Sequence, residues 1–250
     1  MKAMILAAGL GTRLRPLTNS IPKALVEIEG KTMLEHTIRN LAQQGFEEIV
    51  VNVHHFADKI KNFLSMHDFG VEIRISDESE KLLDTGGGII KASNILFDET
   101  YKSVLIHNVD ILSNANLSEM MKEHNERERV ATLLVSNRNS SRKLIFDKNM
   151  SLAGWHNLTT EEFKPSSYEQ LSDHRELSFS GIYIINKAGV EEMKDLLGSY
   201  KYSVMEYFLH PDRHGKIKGY MQKDLQLVDM GKPANLPQAS DLLLRLKGIY

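Results

Sequence analysis

The chain has 250 residues, 42% of them hydrophobic, which is enough for one sizeable α/β core or two small ones. Its 31 basic and 33 acidic residues nearly cancel, so it lacks the concentrated positive charge that nucleic-acid binding requires. No cysteine is present, which excludes disulfides, thiolate metal sites and a cysteine nucleophile and fits a reducing compartment.

The apolar run 3–8 is too short for a secretory signal core and soon meets Arg13 and Arg15, so it reads as a buried first strand. No stretch approaches the ~20 apolar residues of a membrane span, which makes the cytoplasm the expected compartment. Short apolar runs then alternate with segments of helical period. Strands are predicted over 2–7, 49–53, 71–75, 104–107 and 130–135, with helices over 33–44, 57–65, 88–96 and 117–127. Apolar strands joined by crossover helices imply a parallel sheet covered on both faces.

After about Ser136 the pattern changes. Two weak strands, 143–146 and 152–155, precede a polar stretch over 157–176 that is expected to be a surface excursion. Regular structure resumes at 177–185, followed by helices at 188–197 and 204–209, two strands ending at 228, and a terminal helix over 236–246. No linker, internal repeat or low-complexity block interrupts the chain, which predicts one domain over 1–250. A hexapeptide-repeat tail is also absent.

Directly after the first strand comes Ala8-Gly9-Leu10-Gly11-Thr12-Arg13-Leu14-Arg15-Pro16-Leu17-Thr18, then Ile21-Pro22-Lys23. A glycine-rich turn leaving a parallel strand brings backbone N–H groups close to a phosphate chain. A dinucleotide fingerprint would need a third glycine where Leu14 stands, and its acidic residue is missing because the second strand ends in Val53-His54. A P-loop ending in Gly30-Lys31-Thr32 would need a glycine in place of Leu25.

Residues 6–18 with Pro22-Lys23 resemble, without a gap, the N-terminal signature of the nucleotide-sugar pyrophosphorylases, or sugar-1-phosphate nucleotidyltransferases. The resemblance implies a Rossmann-like, mostly parallel mixed sheet with helices on both faces, of the GT-A-like kind. In that fold 1–135 would be the nucleotide-binding part and 136–250 the sugar-binding part. It implies that Ala8, Gly9, Gly11 and Thr12 line the nucleotide, that Arg13 holds the β- and γ-phosphates, and that Lys23 neutralises charge around the α-phosphate. The implied substrates are a nucleoside triphosphate and a sugar 1-phosphate, with the product feeding cell-wall or polysaccharide assembly. A monomer or small homo-oligomer is expected.

Joining two polyanions calls for a divalent cation, and Mg²⁺ takes one or two carboxylates with the rest of its ligands from phosphate and water. Asp110 and Asp229 each close an apolar strand at the edge where open α/β sheets bind ligands. The family carries Asn-Gly-Asp and Asp-x-Gly at these places. Here the first reads Asn108-Val109-Asp110, so a valine replaces a glycine. Each aspartate is also a reasonable turn former or helix cap.

Leu83-Asp84-Thr85-Gly86-Gly87-Gly88 resembles the family's base-facing Leu-Gly-Thr-Ala segment, and its glycine run is similar to that of the N-acetylmuramate 1-phosphate uridylyltransferases. Asp84, Thr85 and Gly86 are therefore expected at the base, in a loop before the helix at 88. An ionised Asp84 accepts hydrogen bonds and donates none, which suits the N–H of uracil or guanine and favours UTP or GTP. The N-terminal signature is shared with mannose-1-phosphate guanylyltransferases, so the sugar stays open. Asn108, Ser180 and Gly181 are expected over the sugar, the last because a strand glycine marks a bulge or a close approach. His54, His55 and His107 read as capping or core residues, and Trp155 as packing. A non-catalytic nucleotide-sugar-binding subunit of the same fold is the alternative, which loss of Arg13, Lys23 or either aspartate would favour. All four are present.

Overall fold

The computed structural model describes residues 1–127, 129–165, 173–213 and 215–246. Its first half holds strands β1 (Lys2–Leu6), β2 (Glu27–Ile28), β3 (Lys31–Thr32), β4 (Glu48–Val53), β5 (Glu72–Asp77), β6 (Ser103–Asn108) and β7 (Ile111–Ser113). Between them lie helices α1 (Met33–Gln43), α2 (Ala57–Ser65) and α3 (Asp84–Leu96). The second half runs α4 (Leu117–Glu126), β8 (Ala131–Ser136), β9 (Arg142–Asp147), β10 (Leu152–Asn157), β11 (Glu162–Lys164) and β12 (His174–Asn186). It closes with α5 (Lys187–Leu197), α6 (Val204–Phe208), β13 (Ile217–Met221), β14 (Leu227–Asp229) and α7 (Leu236–Leu246).

Strands β6, β1, β4 and β5 are parallel neighbours, so the expected α/β sheet is present. Its central strands are apolar on both sides because each face carries a core. Ala3, Ile5, Ile49, Val51 and Leu105 point to a core shared with α1, α2, α4 and α7, and Met4, Val50, Val104 and Ile106 to one shared with α3, α5 and α6. At the outer edge, β5 alternates charge with half-buried isoleucine, and Arg74 pairs with Glu72 and Glu48, a charged rim that discourages further pairing.

The second half is largely antiparallel. β12 pairs with β6, β8 and β9, and the sheet continues through β10 to β11, while β13 lies parallel to β8. Thirteen residues long, β12 serves both parts by bending between Phe179 and Tyr183, where Gly181 takes φ +74°. Helix starts follow local chemistry: Thr32 and Asn116 cap α1 and α4, and Ser203 with Glu206 forms a capping box on α6.

Two expectations need correction. The polar stretch over 157–176 is not wholly irregular: β11 pairs with β10 as an exposed edge hairpin and β12 already begins at His174, while 166–172 lie outside the described residues. Helix α3 begins at Asp84 rather than at 88, so the glycine run forms its first turns. Glycine is a poor helix former, so helical period is faint there, and tertiary contacts decide the boundary. Among the described residues no helix is long and apolar enough to cross a membrane.

Candidate active site

The C-terminal ends of β1, β4 and β6 open into a cleft of about 330 Å³. Its floor is fixed by Asn52, which is 2% exposed. The Asn52 amide oxygen accepts from the Ala7 and Ala8 N–H groups at 2.7 and 3.3 Å, and its nitrogen donates to Glu78 Oε1 at 2.7 Å. The other Glu78 oxygen accepts from the Leu83 N–H at 3.2 Å. The loop after β1 is thereby tied to the start of α3 through two buried side chains. Burial pushes the Glu78 carboxyl up, against the pull of Asn52 and Leu83. Gly88 makes room for this network, since a Cβ there would stand 2.7 Å from Glu78 Oε1.

Gly11 takes φ +65° and its carbonyl accepts from Thr18 Oγ at 2.8 Å, which turns the chain into a short 3₁₀ helix, Thr12–Leu14, and carries Arg13 to the cleft. Lys23 follows Pro22 at the start of another short helix, Lys23–Leu25, and is bonded to Asp110 Oδ2. Arg13 lies 3.8 Å from Asp110 and 3.7 Å from Asp229, so two cations and two carboxylates meet at one point.

The aspartates, distant in sequence, are joined by the ribbon of β7 and β14: Asp229 stands opposite Ile111, and the Met230 N–H donates to the Asp110 carbonyl at 2.7 Å. Gly231 completes the arrangement. Its N–H donates to Asp229 Oδ1 at 2.8 Å, and a Cβ would lie 2.5 Å from Asp110 Oδ2 and 2.8 Å from Arg13 Nη2. Burial raises the Asp229 pKa, but the Gly231 N–H, a hydrogen bond shared with Asp110, and the charges of Arg13 and Lys23 outweigh it and hold the carboxyl below its usual value. Val109, where the resembled pattern has glycine, packs into the larger core at 4% exposure, so the replacement is accommodated.

Ala8, Gly9, Arg13, Lys23, Asp84, Thr85, Asn108 and Asp110 all line the cleft. Asp229 stands beside Asp110 through Arg13. Gly86 is buried against Tyr202 instead, and Gly11 and Thr12 shape the turn that carries Arg13 without lining the cleft themselves. Ser180 is buried, and Gly181 lies behind Asn108, where a Cβ would be 2.7 Å from its Nδ2. The bulge and the close approach are thus one feature. His107 is buried in β6 and pushed down to about 4 by burial, a neutral core residue as expected.

Sequence reasoning missed Asn52, Glu78, Lys201 and Arg138. An asparagine within the apolar run Val50-Val51-Asn52-Val53 was the available signal, since a buried amide must find partners. Arg138 donates to the Phe179 carbonyl at 2.8 Å and lines a second, larger groove with Trp155, Lys164 and Phe179. Burial lowers the Arg138 pKa, with the charge of Asp229 opposing it. Trp155, expected only to pack, is half-buried there with Lys164 5.3 Å over its ring.

A parallel sheet with a glycine-rich first turn, and cations facing paired carboxylates at its strand ends, defines a phosphate-handling α/β protein. The nucleotidyl transferase family model matches residues 2–243, and the chain belongs to that family. It is 33% identical over 261 residues to a UTP--glucose-1-phosphate uridylyltransferase of Synechocystis sp., covering 96% of this chain and 62% of the relative. It is 46% identical over 111 residues to an N-acetylmuramate alpha-1-phosphate uridylyltransferase of Caulobacter vibrioides, covering 43% of this chain and 45% of that one. The matches thus span less than two thirds of these relatives' lengths. HddC from Yersinia pseudotuberculosis shares the fold with a TM-score of 0.76 at 23% identity, over 97% of this chain and 99% of the other.

Proposed function

We propose that the chain transfers a nucleoside monophosphate from UTP or GTP to a sugar 1-phosphate. A phosphate oxygen of the sugar attacks the α-phosphorus, the bond from that phosphorus to the oxygen bridging to the β-phosphate breaks, and pyrophosphate leaves. The observation that carries this reading is the convergence of Arg13 and Lys23 on Asp110 and Asp229 at the cleft. Arg13, whose side chain is 56% exposed at the cleft, would hold the terminal phosphates. Lys23, at 13%, would stay fixed beside the α-phosphate, where charge builds in the transition state. The attacking phosphate is already ionised at neutral pH, so no general base is required.

Two carboxylates suit Mg²⁺, which draws its remaining ligands from phosphate and water. Asp110 and Asp229 are the residues that would hold it, and among the described residues no cluster of three or more metal-ligating side chains competes. The ion would supply charge neutralisation between the two substrates. Lys23 and Arg13 also pair with these carboxylates.

Asp84 and Thr85 are the residues that would face the base, Asn108 would stand between nucleotide and sugar, and Ser180 with Gly181 would support the sugar side near the groove of Arg138 and Trp155. The direct test is a matrix of the four nucleoside triphosphates against sugar 1-phosphates, read as pyrophosphate release with and without Mg²⁺. Release that needs all three components, with UTP or GTP preferred, is the expected result. No release with any pair, or undiminished release in excess chelator, overturns the reaction or the metal assignment respectively.

A further inference from the structure

The glycine run at the start of α3 faces protein. The Gly86 N–H donates to the Tyr202 carbonyl at 2.9 Å, the Tyr202 N–H to the Leu83 carbonyl at 3.3 Å, and the Val204 N–H to Thr85 Oγ at 2.9 Å. A Cβ on Gly86 would overlap the Tyr202 ring, and one on Gly87 would overlap the Tyr200 carbonyl. The segment between α5 and α6 is therefore docked backbone to backbone on the first turn of α3, and only glycine permits that approach. Gly198 (φ +78°), the Tyr202 hydroxyl bonded to the Gly198 carbonyl at 3.2 Å, and the edge-on Tyr200 and Tyr202 rings brace the segment.

What this docking delivers to the cleft is Lys201, which lines the same cavity as Leu82, Asp84 and Thr85. Its side chain is exposed, and among the described residues it enters no ion pair, in contrast to Arg13 and Lys23. A long cationic side chain held on a braced segment beside an exposed carboxylate supplies a donor next to an acceptor. Asp84 is held in a left-handed conformation (φ +61°), with one oxygen accepting from the Thr85 N–H at 2.7 Å, which leaves the carboxylate further acceptor capacity.

We propose that Lys201 contacts the base of the bound nucleotide, donating to a ring carbonyl adjacent to the N–H that Asp84 accepts. This rests on the reading that a nucleoside triphosphate occupies the cleft with its base at Asp84. Uracil and guanine present a carbonyl beside a ring N–H, which uses a donor-only lysine and an acceptor-only carboxylate together. The amine and ring nitrogen of cytosine or adenine need the two side chains in the reverse order. Lys201 is thus a specificity residue, and the glycine run is the surface that positions it.

The experiment compares wild type with Lys201→Met and Lys201→Arg, measuring KM for each of the four triphosphates and for the sugar phosphate, alongside Tm. Lys201→Met is expected to raise KM for the preferred triphosphate about tenfold, the scale of one charged hydrogen bond. It should raise KM for the disfavoured triphosphates less, and leave the sugar-phosphate KM and Tm unchanged, with Lys201→Arg recovering part of the loss. Gly87→Ala, which displaces the Tyr200 carbonyl, should give the same KM signature with a lower Tm. Unchanged triphosphate KM values, an equal rise for all four, or a rise confined to the sugar phosphate overturns the proposal. Should wild type turn over no substrate pair, the proposed reaction fails. Equilibrium titration of UTP and GTP into wild type and Lys201→Met then tests Lys201 by itself, equal affinities counting against it.

Discussion

The parallel and antiparallel halves of the sheet build their parts of the cleft by different means. In the parallel half, cleft residues stand on strand ends and are clamped by buried partners: Asn52 and Glu78 under the β1 loop, Lys23 on Asp110. In the antiparallel half, the groove is walled by the short outer strands β9 to β11, and the whole of β11 is exposed. A clamped wall suits the nucleotide end, where misplacement of charge by an ångström is expensive in rate. An edge wall can change without disturbing the central strands, which would suit the proposed acceptor side. The contrast predicts that substitutions in the clamped strand-end wall act on turnover, and those in the groove of the outer strands on acceptor KM.

The largest effect is expected at the junction. Asp110→Asn removes a proposed metal ligand and the partner of Lys23 at once, and should lower kcat by ~10³ or more, beyond the 10²–10³ scale for one electrostatic contact. Steady-state pyrophosphate release measures it, and a folded variant with near-normal kcat would remove Asp110 from the reaction. Arg13→Ala and Lys23→Ala should each cost roughly 10² in kcat.

In the antiparallel half, Arg138→Ala should raise the acceptor KM about tenfold with kcat nearly intact. A fall in kcat without a KM change would erase the proposed division of labour. Asn52→Ala sharpens the comparison from the other side. Leaving Glu78 and two backbone N–H groups without their partner should cost about 1–3 kcal/mol of stability, measured by urea unfolding.

The smallest effect is in pH. Burial lowers the His107 and His124 pKa values to about 4 in the folded chain, against about 6.5 in the unfolded one. Between those values the unfolded chain binds protons that the folded chain does not, so stability falls as pH drops from about 6.5 to about 4. The contribution is complete above that window, with a slope of ~1.4 kcal/mol per pH unit for each histidine. Asp229 adds a loss further down, because its lowered pKa stabilises the fold above the ordinary carboxylate value and that gain disappears as pH falls through its folded value. Urea midpoints from pH 7 to 4 check the histidine window, with His124→Asn expected to flatten the slope, and an extension below pH 4 checks Asp229.

The local parts of this architecture were legible in the sequence. Apolar runs of strand length marked β1, β4 and β6, and the turn after β1, with its glycines, Arg13 and Lys23, is a motif whose chemistry is contained in adjacent residues. Asp110 and Asp229 were visible because each closes an apolar strand at the edge where open α/β sheets bind ligands. The edge strand β11 was not legible, because its three exposed residues carry no hydrophobic period.

Tertiary structure alone decided which distant residues meet. The sequence predicts a strand ending at 228 but none at β7, and only the pairing of β7 with β14 sets Asp229 against Asp110. The glycine run could be read as a turn as easily as a docking surface until Tyr200 and Tyr202 were found against it. Asn52, Glu78 and Lys201 belong to three segments brought together by sheet order and loop docking. A local sequence signal records backbone preference and burial over a few residues, whereas such contacts depend on which strands become neighbours, a property of the packed sheet as a whole.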